Sequence, residues 1–404
     1  MKKILFVDDD TNVIEGLKRM LRPLRQEWTM QFAISGPQAL QMMEQEPVDV
    51  LVTDMRMPQM DGAELLTIVM SKFPKTIRII LSGYSEQELI LKSVRPAHQF
   101  LSKPCSAEKL LRAIERASKL QSMLESEEIK KIISRMDSLP SQPALYTKII
   151  EKLNDPNASI RDIGLIIEQD VGMSVQILKL INSSFFGFYK EITSPVQAAN
   201  LLGINTIKTL VLSIEIFSLF KVNAELSTVI NRVWKMSTIT GHFCRLIARE
   251  LSDSRINTDD AFMVGFIHDI GFLVLAAQIP ELTVKIIKQA IEQKTPIFDM
   301  EKKYIGTTHA QIGAYLLGLW GFPDKIIESL LFYRDPGSLG TDEIHLGHIL
   351  HITVAFCHHL FALPEDIYQA KINLTLVKKL GLESKIKEWF SYCKQMYASG
   401  EQNE

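Results

Sequence analysis

The sequence Ile4-Leu5-Phe6-Val7-Asp8-Asp9-Asp10 decides the fold of the first third of the chain. Four apolar residues end abruptly in three carboxylates, a pattern typical of a short buried strand followed by a loop. Similar apolar runs with a polar end return further along the chain. They lie at residues 29–34, 48–53, 77–81 and 98–102. We therefore predict five strands within the first 120 residues.

Amphipathic segments separate these five strand candidates. Apolar positions at helical spacing favour helices at residues 11–21, 37–45, 63–72, 85–94 and 107–120. Regular alternation of strands and helices is typical of a parallel sheet with right-handed crossovers and helices on both faces. The first 120 residues are thus predicted to form an α/β domain with a five-stranded, doubly wound parallel sheet.

The residues that follow the predicted strands carry the candidate chemistry. Asp8 and Asp9 follow the first strand, and Asp54, Ser82 and Lys103 follow three others. The carboxyl ends of parallel strands meet at one edge of a sheet, where ligands bind. Three crowded carboxylates repel one another unless a cation joins them, and ligands that are all oxygen favour Mg²⁺. A carboxylate beside Mg²⁺ and a lysine can accept a phosphoryl group, whose charge the two cations neutralise.

This segment resembles the receiver domain of two-component response regulators, which has a flavodoxin-like fold, over residues 1 to about 120. The resemblance implies that Asp54 is the phosphoacceptor and that a sensor histidine kinase phosphorylates it. It also implies that Asp8 and Asp9 form the acidic pair that binds Mg²⁺ together with Asp54. The backbone carbonyl of Arg56 would be a further metal ligand.

The same resemblance implies a conformational switch near the phosphoacceptor. Ser82 would be the hydroxyl that binds the phosphoryl group, and Phe100, where tyrosine is commoner, would be its aromatic partner. Lys103 would pair with the phosphoryl group. The peptide bond before Pro104 is expected to be cis, a geometry that is largely confined to proline.

Residues 107–136 are predicted to form a signalling helix that links two domains. Apolar positions recur at steps of three and four from Leu110 to Leu124, and a second stripe runs from Ile129 to Met136. The charged segment at residues 125–131 interrupts the stripe, and Pro140 and Pro143 end the helical pattern. Two alternatives stay open here. The segment is either a dimeric coiled coil, which would make a homodimer, or a plain linker helix packed on its own chain.

The remaining two thirds of the chain, from Pro143 onward, has an almost entirely helical pattern. A His-Asp pair, His268 and Asp269, lies in an apolar frame and could ligate a metal. The alternative is a buried histidine near an aspartate that caps a helix. No glycine-rich phosphate loop and no helix-turn-helix with a basic recognition face is evident, so we expect no direct DNA binding.

The segment at residues 133–335 resembles the HDOD module, a relative of the HD and HD-GYP metal phosphohydrolases. Several short blocks of sequence carry the likeness. They are Leu139-Pro140-Ser141-Gln142-Pro143, Glu168-Gln169-Asp170, Leu180-Ile181-Asn182-Ser183, residues 198–203, His268-Asp269-Ile270-Gly271, His309-Ala310-Gln311-Ile312-Gly313-Ala314 and Trp320-Gly321-Phe322-Pro323. The resemblance implies an all-helical, HD-like output domain, which a helical extension at residues 336–404 completes.

Departures from the HD hydrolase pattern predict that its metal site is degenerate. The first histidine position is Met236, and the last aspartate position falls near Val354. Only His268, Asp269 and His309 remain, which are too few ligands for a two-metal hydrolytic site. We therefore expect no transition metal and no hydrolase activity in this domain, and Mg²⁺ at the receiver as the cofactor.

A second group of histidines lies near the end of the helical region. His345, His348 and His351 are spaced three apart and could share a helix face that binds a metal. Neutral histidines on a polar helix face are the commoner explanation of such spacing, and the sequence leaves both interpretations open.

Composition narrows the class of protein. The 404 residues are 46% hydrophobic and 23% charged, with a net charge of -2, as in ordinary soluble chains of two or three domains. This balance argues against a chain held on nucleic acid by bulk positive charge. Four scattered cysteines without a CxxC pair indicate a reducing cytoplasm. The amino-terminal apolar run is too short for a signal peptide, and residues 201–220 predict buried helices rather than a membrane span.

These features together predict a cytoplasmic signalling protein that phosphorylation controls. Phosphorylation of Asp54 would switch an HDOD output module that binds another protein or a small nucleotide. Two alternatives belong to other classes. One is a metal-dependent HD-type phosphohydrolase such as a cyclic-dinucleotide phosphodiesterase, although the GYP signature is missing. The other is a nucleotide sensor that binds its ligand without hydrolysis.

Overall fold

The computed structural model describes most of the chain in fourteen stretches. They are residues 1–82, 96–103, 105–123, 126–134, 136, 140–141, 143–155, 158–182, 191–204, 206–207, 218–219, 224–341, 343–361 and 370–400. The predicted helix at residues 85–94 lies outside these described residues. Pro104 lies outside them too, so the cis peptide stays a prediction.

The amino-terminal domain is built on a five-stranded sheet in which every strand pair is parallel. Its strands are β1 (Lys2–Val7), β2 (Trp28–Ala33), β3 (Val50–Asp54), β4 (Ile77–Ser82) and β5 (Gln99–Ser102), in the order β2-β1-β3-β4-β5. The crossovers contain α1 (Thr11–Met20), a 3-10 turn at Arg22–Gln26, α2 (Gly36–Gln45) and α3 (Gly62–Lys72). The predicted doubly wound fold is confirmed, and the strand order reverses next to β1, where a ligand site is expected.

The two faces of the sheet have different partners, because successive side chains of a strand point to opposite sides. On one face, Leu5, Leu51, Ile80 and Phe100 pack with α2 and α3 in a small closed core. On the other face, the alternate residues of the same strands, such as Phe6, join a much larger core that continues into the rest of the chain.

The linker consists of two helices, α4 (Ala107–Met123) and α5 (Glu127–Ser134), and residues 124–125 lie outside the described part. Leu110, Ile114, Ile129 and Ile133 are buried within the large core. The charged segment that was expected to interrupt the stripe is largely helical, because Ile129 anchors it to this core. The described part of the apolar stripe is thus covered by its own chain.

In the described part of the carboxyl-terminal region, the regular structure is helical apart from a two-residue parallel pairing of β6 (Pro140–Ser141) with β7 (Ser218–Leu219). Its helices are α6 (Pro143–Asn154), α7 (Ile160–Glu168), α8 (Val171–Ile181), α9 (Pro195–Leu202), α10 (Ala224–Leu251), α11 (Thr258–Ile267), α12 (Ile270–Gln278), α13 (Pro280–Gln293), α14 (Ile297–Ile305), α15 (His309–Leu319), α16 (Asp324–Phe332), α17 (Leu346–Leu360), α18 (Leu374–Lys379) and α19 (Glu383–Gly400). The predicted helical, HD-like class is confirmed.

Helix α15 is the central element of the molecule. All of its residues except Gln311 are buried. It packs against α12 and α16 of the helical region and against the linker helices α4 and α5. A helix that is apolar on all sides needs partners on all sides, and α15 finds them in both halves of the chain.

One stretch of the described residues, Thr258–Gln278, is long and apolar enough to cross a membrane by composition, and 94% of its most apolar window is buried inside the fold. It comprises α11 and α12. Since its side chains pack on other helices, this apolar character is that of a core.

Candidate functional site

The carboxyl edge of the parallel sheet brings Asp8, Asp54 and Lys103 into one cluster. The ammonium group of Lys103 donates to Asp8 Oδ2 at 2.6 Å and also to Asp54 Oδ1. Both carboxylates are buried, and Lys103 is half-buried above them. The predicted convergence of these three residues at one edge of the sheet is therefore observed.

The backbone after β3 is shaped to present Asp54. The Arg56 N–H donates to Asp54 Oδ2 at 2.7 Å, so the loop contributes a donor to the carboxylate. Gly62 then returns close to the strand end, where a β-carbon would lie 2.3 Å from the carbonyl oxygen of Asp54. Asp61 starts α3 with a reciprocal capping box to Glu64. These backbone contacts help to fix the orientation of Asp54, and they are independent of the hydrogen bond that Lys103 donates to it.

The charges in this cluster are tuned by burial and by pairing. Burial raises the pKa of Asp54, although the hydrogen bond and charge of Lys103 counteract part of the rise. Burial also opposes the charge of Lys103, but the hydrogen bonds to Asp54 and Asp8 outweigh it and leave the pKa of Lys103 raised. Lys103 therefore keeps its positive charge beside Asp54 at neutral pH.

The donor set at this edge suits Mg²⁺ better than other metals. Among the residues that the structure describes, no three His, Cys, Asp or Glu side chains stand close enough together to hold a metal by themselves. Mg²⁺ needs fewer protein ligands, because it keeps several waters and usually takes one or two carboxylates plus phosphate oxygens. Asp8 and Asp54 are oxygen donors of this kind, and Asp9 and the Arg56 carbonyl follow the same two strands in the sequence.

The predicted switch residues lie on β4 and β5, the last two strands in the order of the sheet. Strand β4 ends at Ser82 and β5 at Ser102, and the register pairs these two residues. Phe100 pairs with Ile80 and is buried in the small closed core beneath α2 and α3. The backbone therefore places Ser82 at the carboxyl ends of the strands, where Lys103 also lies.

A second cluster of titratable groups lies inside the helical region. His309 Nδ1 donates to Glu301 Oε1 at 2.6 Å, and the backbone N–H of His309 donates to Glu301 Oε2 at 2.9 Å. The other ring nitrogen lies 3.4 Å from Asp269 Oδ1, and His268 Nε2 lies 3.3 Å from Asp269 Oδ2. All four side chains are almost fully buried. The structure thus brings together the three residues that were predicted from the sequence, and adds Glu301.

Asp269 is the residue just before α12, at its N-cap position, yet its side chain makes no capping hydrogen bond. The helix-cap interpretation of this aspartate is therefore wrong, because the carboxylate turns towards the two histidines instead. The buried-histidine part of that interpretation holds, since His268 Nδ1 donates to the Gly265 carbonyl at 2.6 Å.

The two histidines of this cluster have opposite electrostatic surroundings. Burial opposes the charge of His309, but the charges and hydrogen bonds of Glu301 and Asp269 outweigh it and raise its pKa to about 9. Burial lowers the pKa of His268. The raised pKa favours an imidazolium at His309, whose single positive charge offsets one of the two carboxylate charges beside it.

Sequence reasoning missed Glu301. It lies on α14 between Ile297 and Ile305, one turn from each, and both of these are buried. A charged residue on the buried stripe of an amphipathic helix needs a partner, because an unpaired buried carboxylate is costly. The position of Glu301 within the apolar stripe was therefore the sequence signal that could have indicated a buried partner for it.

The departures from the HD hydrolase pattern are packed into the protein core. Met236 and Val354 are buried, and Phe272 sets its ring edge-on to His309 with centroids 5.9 Å apart. The ring of Phe298 packs against the same imidazole, with the two ring centroids 4.5 Å apart. Buried apolar side chains, Met236 and Val354, therefore occupy the two positions at which the hydrolase pattern led us to expect metal ligands, and aromatic rings pack against His309.

His348 and His351 are buried and His345 is half-buried, so the expectation that they lie on a polar helix face is wrong. His345 precedes the helix and accepts the Gly347 N–H, and His348 Nδ1 accepts the His345 N–H at 3.1 Å. His351 Nδ1 donates to the Tyr333 carbonyl at 2.7 Å. Burial lowers the pKa of all three histidines, which keeps them neutral at pH 7.

Two family models match the chain, one over its amino-terminal domain and one over most of its helical region. The response regulator receiver domain matches residues 4–115, and the HDOD domain matches residues 139–336. The chain belongs to the two-component response regulators, with an amino-terminal receiver domain and a carboxyl-terminal HDOD domain.

Individual relatives are distant. An uncharacterized protein of Treponema pallidum is 26% identical over 204 residues, which are 50% of this chain and 39% of that protein. The hydrogenase transcriptional regulatory protein HoxA of Bradyrhizobium diazoefficiens is 27% identical over 175 residues, 40% of this chain and 36% of HoxA. The chain thus spans well under half the length of these curated relatives. Among solved structures, the MmoQ response regulator of Methylococcus capsulatus is 20% identical with a TM-score of 0.49, covering 63% of this chain and 98% of MmoQ.

Proposed function

We propose that Asp54 accepts a phosphoryl group from a sensor histidine kinase and that this event switches the HDOD domain. The observation that carries the proposal is the bridge from Lys103 to both Asp8 and Asp54 at the carboxyl edge of the sheet. It pairs a buried carboxylate nucleophile with a fixed cation. The receiver family match supports the same assignment.

In the proposed transfer, an oxygen of Asp54 forms a bond to phosphorus as the bond from phosphorus to the kinase histidine breaks. Lys103 stays within reach of the transferred group and stabilises its charge. Asp8, Asp9 and Asp54, with the Arg56 carbonyl, would hold Mg²⁺, which supplies further positive charge to the phosphoryl oxygens. Ser82 at the end of β4 would donate to the acyl phosphate, and Phe100 would repack in response.

Asp54→Asn is expected to reduce phosphotransfer to background, because the amide keeps the shape of the carboxylate but is not a nucleophile. The measurement is incorporation of radiolabelled phosphate from a phosphorylated histidine kinase. Asp49→Asn is the matched control, because Asp49 precedes the opposite end of the same strand and its contact is with the Lys3 N–H. Labelling of the Asp54→Asn protein at the rate of the control would refute the assignment.

We further propose that the HDOD domain acts by binding another protein or a small nucleotide rather than by hydrolysis. The support is that Met236 and Val354, which stand at two positions where the hydrolase pattern has metal ligands, are buried apolar side chains. The absence of a recognisable DNA-binding motif in the sequence supports a protein or nucleotide partner.

Metal content distinguishes this output from the phosphohydrolase alternative. The full chain, purified without a metal-affinity tag, is expected to carry less than about 0.1 equivalent of iron, manganese or zinc by mass spectrometry, since a hydrolytic site of this kind holds its metals tightly. One or two equivalents that disappear in His268→Ala would establish the hydrolase alternative. His359→Ala, at an exposed position on α17, is the control for adventitious binding.

A further inference from the structure

The receiver contacts the HDOD domain directly, through its edge strand. Gln99 is the first residue of β5, and its side-chain amide donates to the carbonyl oxygen of Gly318 at 3.1 Å. Gln99 is buried, and Gly321, which has a φ of +78°, lies against the same side chain. The two partners are 219 residues apart in sequence.

This contact falls at the carboxyl end of α15, where a helix leaves carbonyls without partners inside the helix. The Gly318 carbonyl accepts the Gly321 N–H at 3.2 Å and the Gln99 amide besides. Trp320 is the first residue after α15, and the ammonium group of Lys179 from α8 lies 4.7 Å from its ring centroid. The end of α15 is therefore a junction at which the receiver meets two parts of the HDOD domain.

The other end of α15 carries the buried histidine cluster. His309 is its first residue, and Glu301 binds both the backbone N–H and the ring of His309. Helix α15 is also in very close contact with α12, because a β-carbon on Gly271 would lie 1.9 Å from the His309 carbonyl oxygen. A shift of α15 along its axis would thus move His309 against Asp269, the residue just before α12.

The receiver end of this path is short. Strand β5 begins at Gln99 and ends at Ser102, and the next residue, Lys103, donates to Asp54. Only three residues, Phe100, Leu101 and Ser102, thus separate the cation at the phosphoacceptor from the side chain that holds α15. A change in the position of Lys103 or of β5 reaches Gly318 without passing through the linker helices.

We propose that Gln99 is a latch that holds α15 in its present position, and that phosphorylation of Asp54 releases this latch through β5 and so repositions α15 and His309. The inference rests on the proposed phosphorylation of Asp54 and specifies a route for its effect. Gln99 is a positioning residue, since it touches neither the phosphoacceptor nor the buried histidine cluster.

The test is hydrogen exchange of the full chain with and without beryllofluoride and Mg²⁺, a stable analogue of the phosphorylated state. Beryllofluoride is expected to accelerate exchange in peptides that cover residues 309–319 by about fivefold, the effect of losing one buried hydrogen bond. Gln99→Ala should show the fast exchange already without beryllofluoride. Gln41→Ala, at an exposed position on α2, is the matched control and should behave as the wild type.

Gln99→Glu is the second variant, since it keeps the size of the side chain but lacks the N–H donor, and it should resemble Gln99→Ala. Because coupling between two sites is reciprocal, both variants should also bind beryllofluoride about fivefold more tightly than the control. If beryllofluoride binds but leaves exchange in α15 unchanged or slower, the latch is refuted while phosphorylation of Asp54 stands. If beryllofluoride does not bind to the wild type, the proposed function fails and the latch fails with it.

Discussion

Gly271 shows how a residue that looks functional in the sequence can be required by packing. It follows the His-Asp pair, and its backbone passes so close to α15 that a β-carbon would lie 1.9 Å from the His309 carbonyl oxygen and 2.7 Å from the Gly313 nitrogen. Both obstacles are backbone atoms, which cannot rotate away as a side chain can. The glycine in this motif is therefore explained by the contact between α12 and α15.

Gly271→Ala is expected to lower the free energy of unfolding by about 3 kcal/mol, because two helices must separate to admit the methyl group. Urea denaturation followed by circular dichroism measures this loss. Gly16→Ala is the matched control, since Gly16 lies inside α1 and a β-carbon there meets nothing within 4 Å. The control should gain about 0.5–1 kcal/mol from helix propensity. Equal urea midpoints for Gly271→Ala and the wild type would contradict the packing argument.

At the scale of an element, the start of α17 depends on neutral histidines. Burial, together with the neighbouring His345, lowers the pKa of His348 to about 4. In the unfolded chain a histidine titrates near its usual value of about 6.5. Between these two values the unfolded chain binds a proton that the folded chain does not, so stability falls as the pH falls from about 6.5 towards 4.

His348→Gln should reduce this acid sensitivity. Glutamine at this position of a capping box still bonds to the residue that precedes the helix, but it does not titrate. For the wild type, one such group contributes a slope of up to about 1.4 kcal/mol per pH unit in that interval. The measurement is urea denaturation at pH 7.5, 5.5 and 4.5. His359→Gln, at an exposed site on the same helix, is the control, and an equal slope in both variants would show that His348 is not responsible.

The elements of the receiver could be predicted because its sequence repeats one local pattern. Each apolar run and amphipathic segment that lies within the described residues became a strand or a helix within two or three residues of its predicted ends. The convergence of Asp8, Asp54 and Lys103 followed from the parallel topology alone. Less of the HDOD region could be predicted, since helical periodicity identifies helices but does not indicate which helices pack against each other.

The contacts that the sequence did not reveal are those between distant segments. Glu301 became a partner of His309 only once α14 and α15 were folded together. His345, His348 and His351 have the spacing of an exposed face, but His351 is held from two sides, because it accepts the Asn373 N–H from just before α18 and donates to the Tyr333 carbonyl just after α16. Gln99 and Gly318 belong to different domains, so neither carries a local signal.

At the scale of the whole molecule, the two domains share one hydrophobic core. It runs from Phe6 on the receiver sheet through Ile114 and Ile133 of the linker to Leu316 on α15. Domains joined by flexible linkers usually unfold independently, whereas domains that share buried apolar surface unfold together.

The full chain is therefore expected to unfold in a single cooperative thermal transition. Differential scanning calorimetry should give a calorimetric enthalpy equal to the van't Hoff enthalpy. Ile133→Ala, which opens a cavity in the shared part of the core, should lower the stability of both domains together by about 3 kcal/mol. Two resolved transitions, of which only one moves in Ile133→Ala, would show that the domains are energetically separate.

The burial of α15 on all sides has a consequence for biosynthesis. The receiver leaves the ribosome first, and the residue that its edge strand contacts on α15 is 219 residues further along. At about 5–20 residues per second, this interval lasts roughly 10–40 s. During that time the apolar surface of the nascent receiver that α15 later covers is exposed to solvent and to other proteins. A slow stretch of translation in this interval would lengthen the exposure, and a chaperone that binds the α4–α5 surface would shield the nascent chain until α15 arrives.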